Sequence, residues 1–536
     1  MEEKNEVKIE ENNEVKIENK KTKKNNKKTK IIVASLIILI ICLVVAILFV
    51  LFNNNDKNKT TKTEVTTEVK ESAYRISGNS LGDFDLHFLQ LENEKVNKIY
   101  SPLSIKYALK MLGEGSKGNS KAQIDSVIGD YKAKKYTNSQ NMSFANAMFI
   151  KNSYKDAVKL SYTDKLLNKY NAEIVYDSFE NANNLNSWVS NKTFNLINNL
   201  FDDESVKSQD FALVNALAID MEWNKKIQAT WANYKDMYSV SYEHENFSSF
   251  VPIIEGDDSY SSVKFDNNTQ NVQAVEIGAA INNYDIVKEL GEENIRKTVG
   301  DAYKKWLNEP DTCNNDALDV NAYLDTYIKE INSNYKRVDT STDFSLYVDE
   351  NVKVFAKDLK EYDGTTLQYI GIMPKNVSLD SYIKELDSKK VNTIISSLKE
   401  IKAENFKSGV VTKITGYIPL FKFDYELKLI EDLKQLGIKD VFDSKKADLS
   451  GMISGKGSID SASHKANIEF SNEGIKAAAA TQMGGLGAAS CGFEYNYDVP
   501  VETIDLTFNN PYLFLIRDKN SGEVWFTGTV YNPVSK

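Results

Sequence analysis

The chain has 536 residues, of which 41% are hydrophobic and 11% aromatic, and its formal net charge is −10. That length and apolar content support a sizeable core, in one large domain or in two or three ordinary ones, and the acidic balance argues against nucleic-acid binding. Three cysteines (Cys42, Cys313 and Cys491) exclude a disulfide scaffold, and a multi-histidine metal site would need nearly all of His87, His244 and His464, so neither a metal nor a cofactor is expected.

Residues 1–30 are polar, repeat NEVKIE at 5–10 and 13–18, and end in a block of seven lysines between Lys20 and Lys30. The composition predicts a disordered, Lys-rich tail. Ile31 to Phe52 is a run of 22 residues without a charge, long enough to cross a bilayer as a helix. A cleaved secretory signal is the competing reading, but its apolar core would be shorter and would end in a small-x-small site. This run ends Leu48-Phe49-Val50-Leu51-Phe52, and Cys42 follows two isoleucines, unlike a lipid-modified cysteine. An uncleaved signal-anchor is therefore expected. Seven lysines lie in residues 20–30 against four in the 18 residues after the run, which places the N-terminus in the cytoplasm and the body outside a cell membrane crossed once. Residues 53–72 read as a flexible linker and 73–536 as the folded domain.

In the body, Ser101-Pro102 predicts a helix start, with Ile105, Leu109 and Leu112 behind it. The following GEGSKGNS lacks the GxxxxGK[ST] spacing of a phosphate-binding loop. Leu185, Val189, Leu196 and Leu200 recur at helical spacing, and FALVNALAIDMEW (211–223) is apolar enough for a buried central strand. Between about 278 and 342 two further helical patterns appear, Ile295, Val299, Ala302 and Trp306, then Val320, Leu324, Ile328 and Ile331. They predict a helical insertion, either a partner-binding or a rigidifying module.

The stretch from His464 to Ser490 begins with strand-type alternation, Ala466, Ile468 and Phe470 on one side, and continues into Gly474 and four alanines. Alanine favours helix. The alternative is a strand of small side chains able to slide between existing strands, and no proline occurs from 465 to 499 to delete a ladder donor. There is no GxSxG and no HExxH; a serine hydrolase built on His464 is the remaining enzymatic reading.

HKA at 464–466, NEGIKAAAAT at 472–481 and NPYLFLIRDKNSGEVWFTGTVYNP at 510–533 resemble the serpins, as do SPLSI and KGNS near 101–120. The resemblance covers most of 74–533, fails over the insertion, and points to a membrane-anchored bacterial-type member. It implies a mixed α/β (α+β) fold with a large central β-sheet, additional sheets, about nine helices and an exposed reactive loop over about 472–500. It implies a serine-type endopeptidase inhibitor and not an enzyme, working as a suicide substrate: the loop is cut, the protease is held as an acyl-enzyme, and the freed loop enters the central sheet. The residues matching the family's hinge are Glu473, Gly474, Ile475, Ala477, Ala478, Ala479, Ala480 and Thr481. Those matching its shutter are Ser101, Ser104, Asn215 and His464, and Trp223 matches its breach, with core packing as the plainer role. The family's spacing puts the bait fourteen residues after Gly474, at Ala488–Ala489, which suits an elastase-like or subtilisin-like serine protease. Phe493, Tyr495 and Tyr497 are alternative baits for a chymotrypsin-like one. Ile475, Asn472, Asn510 and Tyr512 depart from the family pattern, and Cys313 and Cys491 are a possible pair or two free thiols. If the loop becomes a strand, Ile475, Ala477, Ala479, Thr481 and Met483 face inward and Lys476 and Gln482 the other way. A monomer is expected, and the alternative function is a non-inhibitory serpin acting as a binding protein or cleavable decoy at the cell surface. A further possibility is that the insertion recruits a cell-surface partner.

Overall fold

The computed structural model describes residues 69–227, 261–266, 271–310, 317–340, 342–459, 462–475, 493, 495, 497 and 499–533. The expected tail and anchor, nearly all of the linker, and Ala477–Thr481, Met483, Ala488 and Ala489 lie outside them. Among the described residues no helix is long and apolar enough to cross a membrane.

Twelve α-helices are present among the described residues: α1 (Asp83–Leu91), α2 (Pro102–Gly115), α3 (Gly118–Ile128), α4 (Leu160–Tyr170), α5 (Asn183–Lys192), α6 (Asp203–Lys207), α7 (Ile286–Leu290), α8 (Glu292–Leu307), α9 (Val320–Ser333), α10 (Leu379–Lys384), α11 (Ser388–Ser396) and α12 (Leu429–Gln435). The expected number was about nine; α7, α8 and α9 lie within the stretch of about 278–342 that was expected to be a helical insertion. Ser101 caps α2 by accepting a hydrogen bond from the Ser104 amide, and Pro102 occupies the first helical turn, where its missing N–H costs nothing. The helix expected to run from Leu185 to Leu200 stops at Lys192. Phe194 and Asn195 adopt positive φ of 52° and 61°, which no α-helix continues through. Leu196 and Leu200 still reach the cluster that holds Leu185 and Val189, so their helical spacing reflected a common apolar neighbour rather than one helix.

The strands form four sheets. Seven strands run in the order β1 (Lys98–Tyr100), β19 (Val524–Val530), β18 (Tyr512–Asp518), β11 (Leu367–Pro374), β10 (Val352–Asp358), β9 (Ser345–Val348) and β12 (Lys399–Glu400). A second sheet orders β17 (Val501–Asp505), β13 (Val411–Pro419), β7 (Asn271–Asn282) and β6 (Ser261–Lys264), with β8 (Val338–Thr340) also on β7. The third is β3 (Ala172–Asp177), β2 (Met142–Lys151) and β4 (Phe211–Ile219), and the fourth is β14 (Phe421–Lys428), β15 (Ser463–Phe470), β16 (Gly474–Ile475) and β5 (Met221–Glu222). The long apolar segment 211–223 is thus β4 and β5, interrupted at Asp220.

The expected large central sheet is here two smaller ones. β4 pairs with β2 on one side and, among the described residues, has no ladder to β15 on the other. One main core links the seven-stranded sheet, α2, β14 and β15. A second cluster packs α5 over β2 and β4, and a third joins the insertion helices to β7 and β13.

Candidate functional site

The two central half-sheets meet at one point. Ile475 in β16 pairs antiparallel with Phe470 on one side and Met221 on the other, and Gly474 pairs with Glu222. One short strand therefore bridges β15 and β5. Glycine is required at 474 because a Cβ there would lie 2.1 Å from the Met221 carbonyl oxygen; that contact is with backbone, which has no rotamer to escape into. Ser471 holds the turn into β16: its hydroxyl accepts from the Glu473 and Gly474 amides at 3.3 Å each.

Trp223 locks the same corner. It is fully buried, its amide donates to the Glu473 carbonyl at 2.8 Å, and its indole Nε1 donates to the Ser471 carbonyl at 2.8 Å. Its ring meets Phe470 edge-on at 5.4 Å and Tyr369 at 6.1 Å. Core packing and hinge contact are thus one arrangement. The Glu473 carboxylate pairs with Lys226, and Ile475 is 2% exposed.

Away from β16, Ser104, Asn215 and His464 line a cavity of about 110 Å³ together with apolar residues of α2, β4 and α12. Of the four residues matched to a shutter, three are joined: His464 Nε2 accepts from the Ser101 amide at 2.8 Å, and Ser101 Oγ accepts from the Ser104 amide at 3.1 Å. Asn215 stands apart. Its amide donates to Asn146 Oδ1 at 2.6 Å across the β2–β4 ladder, and Asn146 in turn donates to the Tyr170 carbonyl at 3.0 Å. The Ser104 hydroxyl and Asn215 Oδ1 are buried with no hydrogen-bond partner among the described residues. Buried polar atoms left unpaired cost roughly 1–3 kcal/mol each, so this cluster is unfinished as it stands.

Burial pushes the His464 imidazole down to about 4, so it is neutral at pH 7 and free to accept the Ser101 N–H. The unfolded chain, with an ordinary histidine near 6.5, binds more protons between those values. The stabilisation is therefore complete above pH 6.5 and lost as the pH falls towards 4, by up to about 3 kcal/mol. Thermal denaturation of wild type and His464→Gln at pH 7.5 and 4.5 checks this: the wild-type advantage should shrink on acidification, and an advantage equal at both pH values would contradict a buried neutral imidazole.

Sequence reasoning missed Asn146, Ser471 and Lys226. Serine two residues before Glu473 is a turn signal; Asn146 and Lys226 carry none, since their roles come from strand pairing. The three alternative aromatic baits, Phe493, Tyr495 and Tyr497, are half-buried and pack on the cluster that holds α8 and α9.

Three comparisons bear on this geometry. The family model described as Serpin (serine protease inhibitor) matches residues 83–278 and 313–533. Serpin B3 of Homo sapiens is 26% identical over 461 residues, covering 84% of this chain and 97% of that protein. The leukocyte elastase inhibitor of Homo sapiens is 31% identical over 175 residues, covering 32% of this chain and 42% of that protein. Among solved structures, the thermophilic serpin tengpin in its native state aligns with a TM-score of 0.55 at 21% identity, covering 86% of this chain and 97% of that one. Thyroxine-binding globulin in complex with thyroxine aligns with a TM-score of 0.54 at 16% identity, covering 84% and 98%; these structural likenesses speak for the fold.

Proposed function

This chain belongs to the serpin family, and on that premise we propose that it is a membrane-anchored, extracytoplasmic inhibitor of serine proteases that works once per molecule by loop insertion. Its anchor is the uncharged run Ile31–Phe52, with the lysine-rich tail inside the cell and the serpin domain outside. Its bait is Ala488–Ala489, whose small apolar surroundings suit an elastase-like or subtilisin-like pocket and offer no basic residue to a trypsin-like one.

One observation carries the reading: β16 pairs with both β15 and β5 at the end of two strands, β4 and β15, that share no ladder among the described residues. Its register pairs Ile475 with both Met221 and Phe470. Six residues further in each chain, Thr481 falls opposite Asn215 and His464. A strand arriving there brings a hydroxyl to the cavity where Ser104 Oγ and Asn215 Oδ1 have no partner among the described residues. The same register sets Ala477 against Ile219 and Ile468, and Ala479 against Leu217 and Ala466, all of them buried. Alanine fits such a gap without displacing its neighbours.

The chemistry follows. The protease's serine oxygen attacks the Ala488 carbonyl carbon, the Ala488–Ala489 bond breaks, and Ala489 leaves as a free amine carrying the proton. The ester between Ala488 and the protease remains until water reaches it. The severed loop then adds to β16, and at about 3.3 Å per residue the thirteen residues from 476 to 488 carry the protease roughly 43 Å along the sheet. Distortion of the enzyme strands the ester.

Incubation of the full-length protein with an elastase-like and a subtilisin-like protease, followed by denaturing electrophoresis, tests this. A one-to-one adduct stable to SDS is expected, with the bait fragment mapped by mass spectrometry to Ala488. Quantitative cleavage without any adduct would instead make the molecule a decoy, and turnover of a substrate abolished by His464→Ala would make it a hydrolase.

A further inference from the structure

The insertion and the carboxyl-side flank of the loop form a structure of their own. Tyr303 of α8 and Tyr323 of α9 stack with centroids 3.9 Å apart and planes 9° from parallel. Phe493 sets its ring edge-on to both, at 5.2 Å from Tyr303 and 5.6 Å from Tyr323, and tilts towards Trp306 at 5.8 Å. Two residues on, the Tyr495 carbonyl accepts a hydrogen bond from the Tyr327 hydroxyl at 3.3 Å. Tyr497 and Val499 belong to the same apolar cluster, and the Val411 amide closes the run by donating to the Pro500 carbonyl at 2.9 Å.

The spacing is that of an extended segment laid on a helix pair. Residues 493–499 read Phe-Glu-Tyr-Asn-Tyr-Asp-Val, so every second residue is aromatic or aliphatic, the pattern of a strand with one face covered. The covering face is equally committed. Tyr303 stacks on both Trp306 and Tyr323, so the rings that meet Phe493 are themselves packed together, and this cluster is separate from the core that holds the seven-stranded sheet.

We propose that the helical insertion is a seat for the loop's carboxyl-side stem, a positioning device that ends the protease-accessible window before Phe493. Seventeen residues, 476 to 492, lie between Ile475 and Phe493, and these are the ones left for a protease to take. The bonds after Phe493, Tyr495 and Tyr497 are withheld, because a protease needs an extended, undocked segment on both sides of the cut. The seat therefore selects small-residue bait over aromatic bait through the flank that it holds. This consequence for specificity rests on the inhibitory reading above; the seat does not.

The test is limited digestion of the full-length protein by chymotrypsin, with cut sites and rates mapped by mass spectrometry. In wild type, cleavage after Phe493, Tyr495 and Tyr497 should be about 10- to 100-fold slower than in Tyr323→Ala, because docked segments are cut only through their open population. Phe493→Ala removes the contact from the loop side, leaves the helix residues intact, and should speed cleavage after Tyr495 and Tyr497 to a similar degree. An unchanged melting temperature of the main domain separates undocking from misfolding. Rates after these aromatic residues that are equal in wild type and in Phe493→Ala would overturn the seat. Digestion reads docking and not adduct formation, so a chain that fails to trap proteases can still show the seat, and the reverse.

Discussion

A single cut between Ala488 and Ala489 is expected to raise the melting temperature of the protein by roughly 5–15 °C. The gain comes from the edges of β4 and β15, which share no ladder among the described residues. Continued from β16, the register sets 476–485 against 220–211 and 476–482 against 469–463, and about ten net hydrogen bonds at 0.5–1.5 kcal/mol each amount to roughly 5–15 kcal/mol. Unfolding entropy of about 2.1 cal/mol/K per residue makes 1 kcal/mol worth about 1 °C in a domain of this length. Ser104 Oγ and Asn215 Oδ1, without a partner among the described residues, should add to the gain when insertion brings the Thr481 hydroxyl to them. A peptide bond lost ordinarily loosens a fold, so the sign alone is informative. Differential scanning calorimetry of the intact and the cleaved, purified protein measures it; a transition that stays put or falls means the intact state stored nothing, and barrier-protected metastability is then the wrong description.

Ala479→Glu should have the second large effect, converting an inhibitor into a substrate. In the inserted register residue 479 lies opposite Leu217 and Ala466, which are 6% and 2% exposed. A carboxylate has no partner there, and burying it costs several kcal/mol. Slowing insertion by even 3 kcal/mol is a factor of more than about 10² in rate, which hands the acyl-enzyme to water. The expected outcome is cleavage at the wild-type rate with the adduct lost, read as adduct yield per cleaved molecule. Lys476→Gln, on the opposite face of the same strand, should leave the yield unchanged. Equal adduct yields for Ala479→Glu and wild type would show that this face is never buried, and loop insertion would fall with it.

Much of the molecule was readable one element at a time. The start of α2 follows from a capping serine and a proline in the first turn, both strictly local. The family came from short strings whose order along the chain is itself specific, and the match over 83–278 and 313–533 agrees with it. The amphipathic spacing of Ile295, Val299, Leu324 and Ile328 marked faces that α8 and α9 do bury. The weak points were those where period and place part company. Leu196 and Leu200 kept helical spacing beyond the last turn of α5, because one cluster collects side chains from a helix and from the irregular chain after it.

What sequence alone determined is the inventory: a polar basic tail, an uncharged run of 22 residues, a domain carrying the serpin strings, and an alanine-rich hinge without proline. These are properties of residue type and spacing, and no partner is needed to read them. Tertiary structure alone decided that β4 and β15 share no ladder among the described residues while β16 joins β15 to β5, that Asn215 bonds to Asn146 instead of His464, and that Phe493 rests on Tyr303 and Tyr323. Each of these joins segments tens to hundreds of residues apart. A strand's own pattern says which face is buried but not which neighbour lies beside its edge, and that choice is made only when the whole chain has packed.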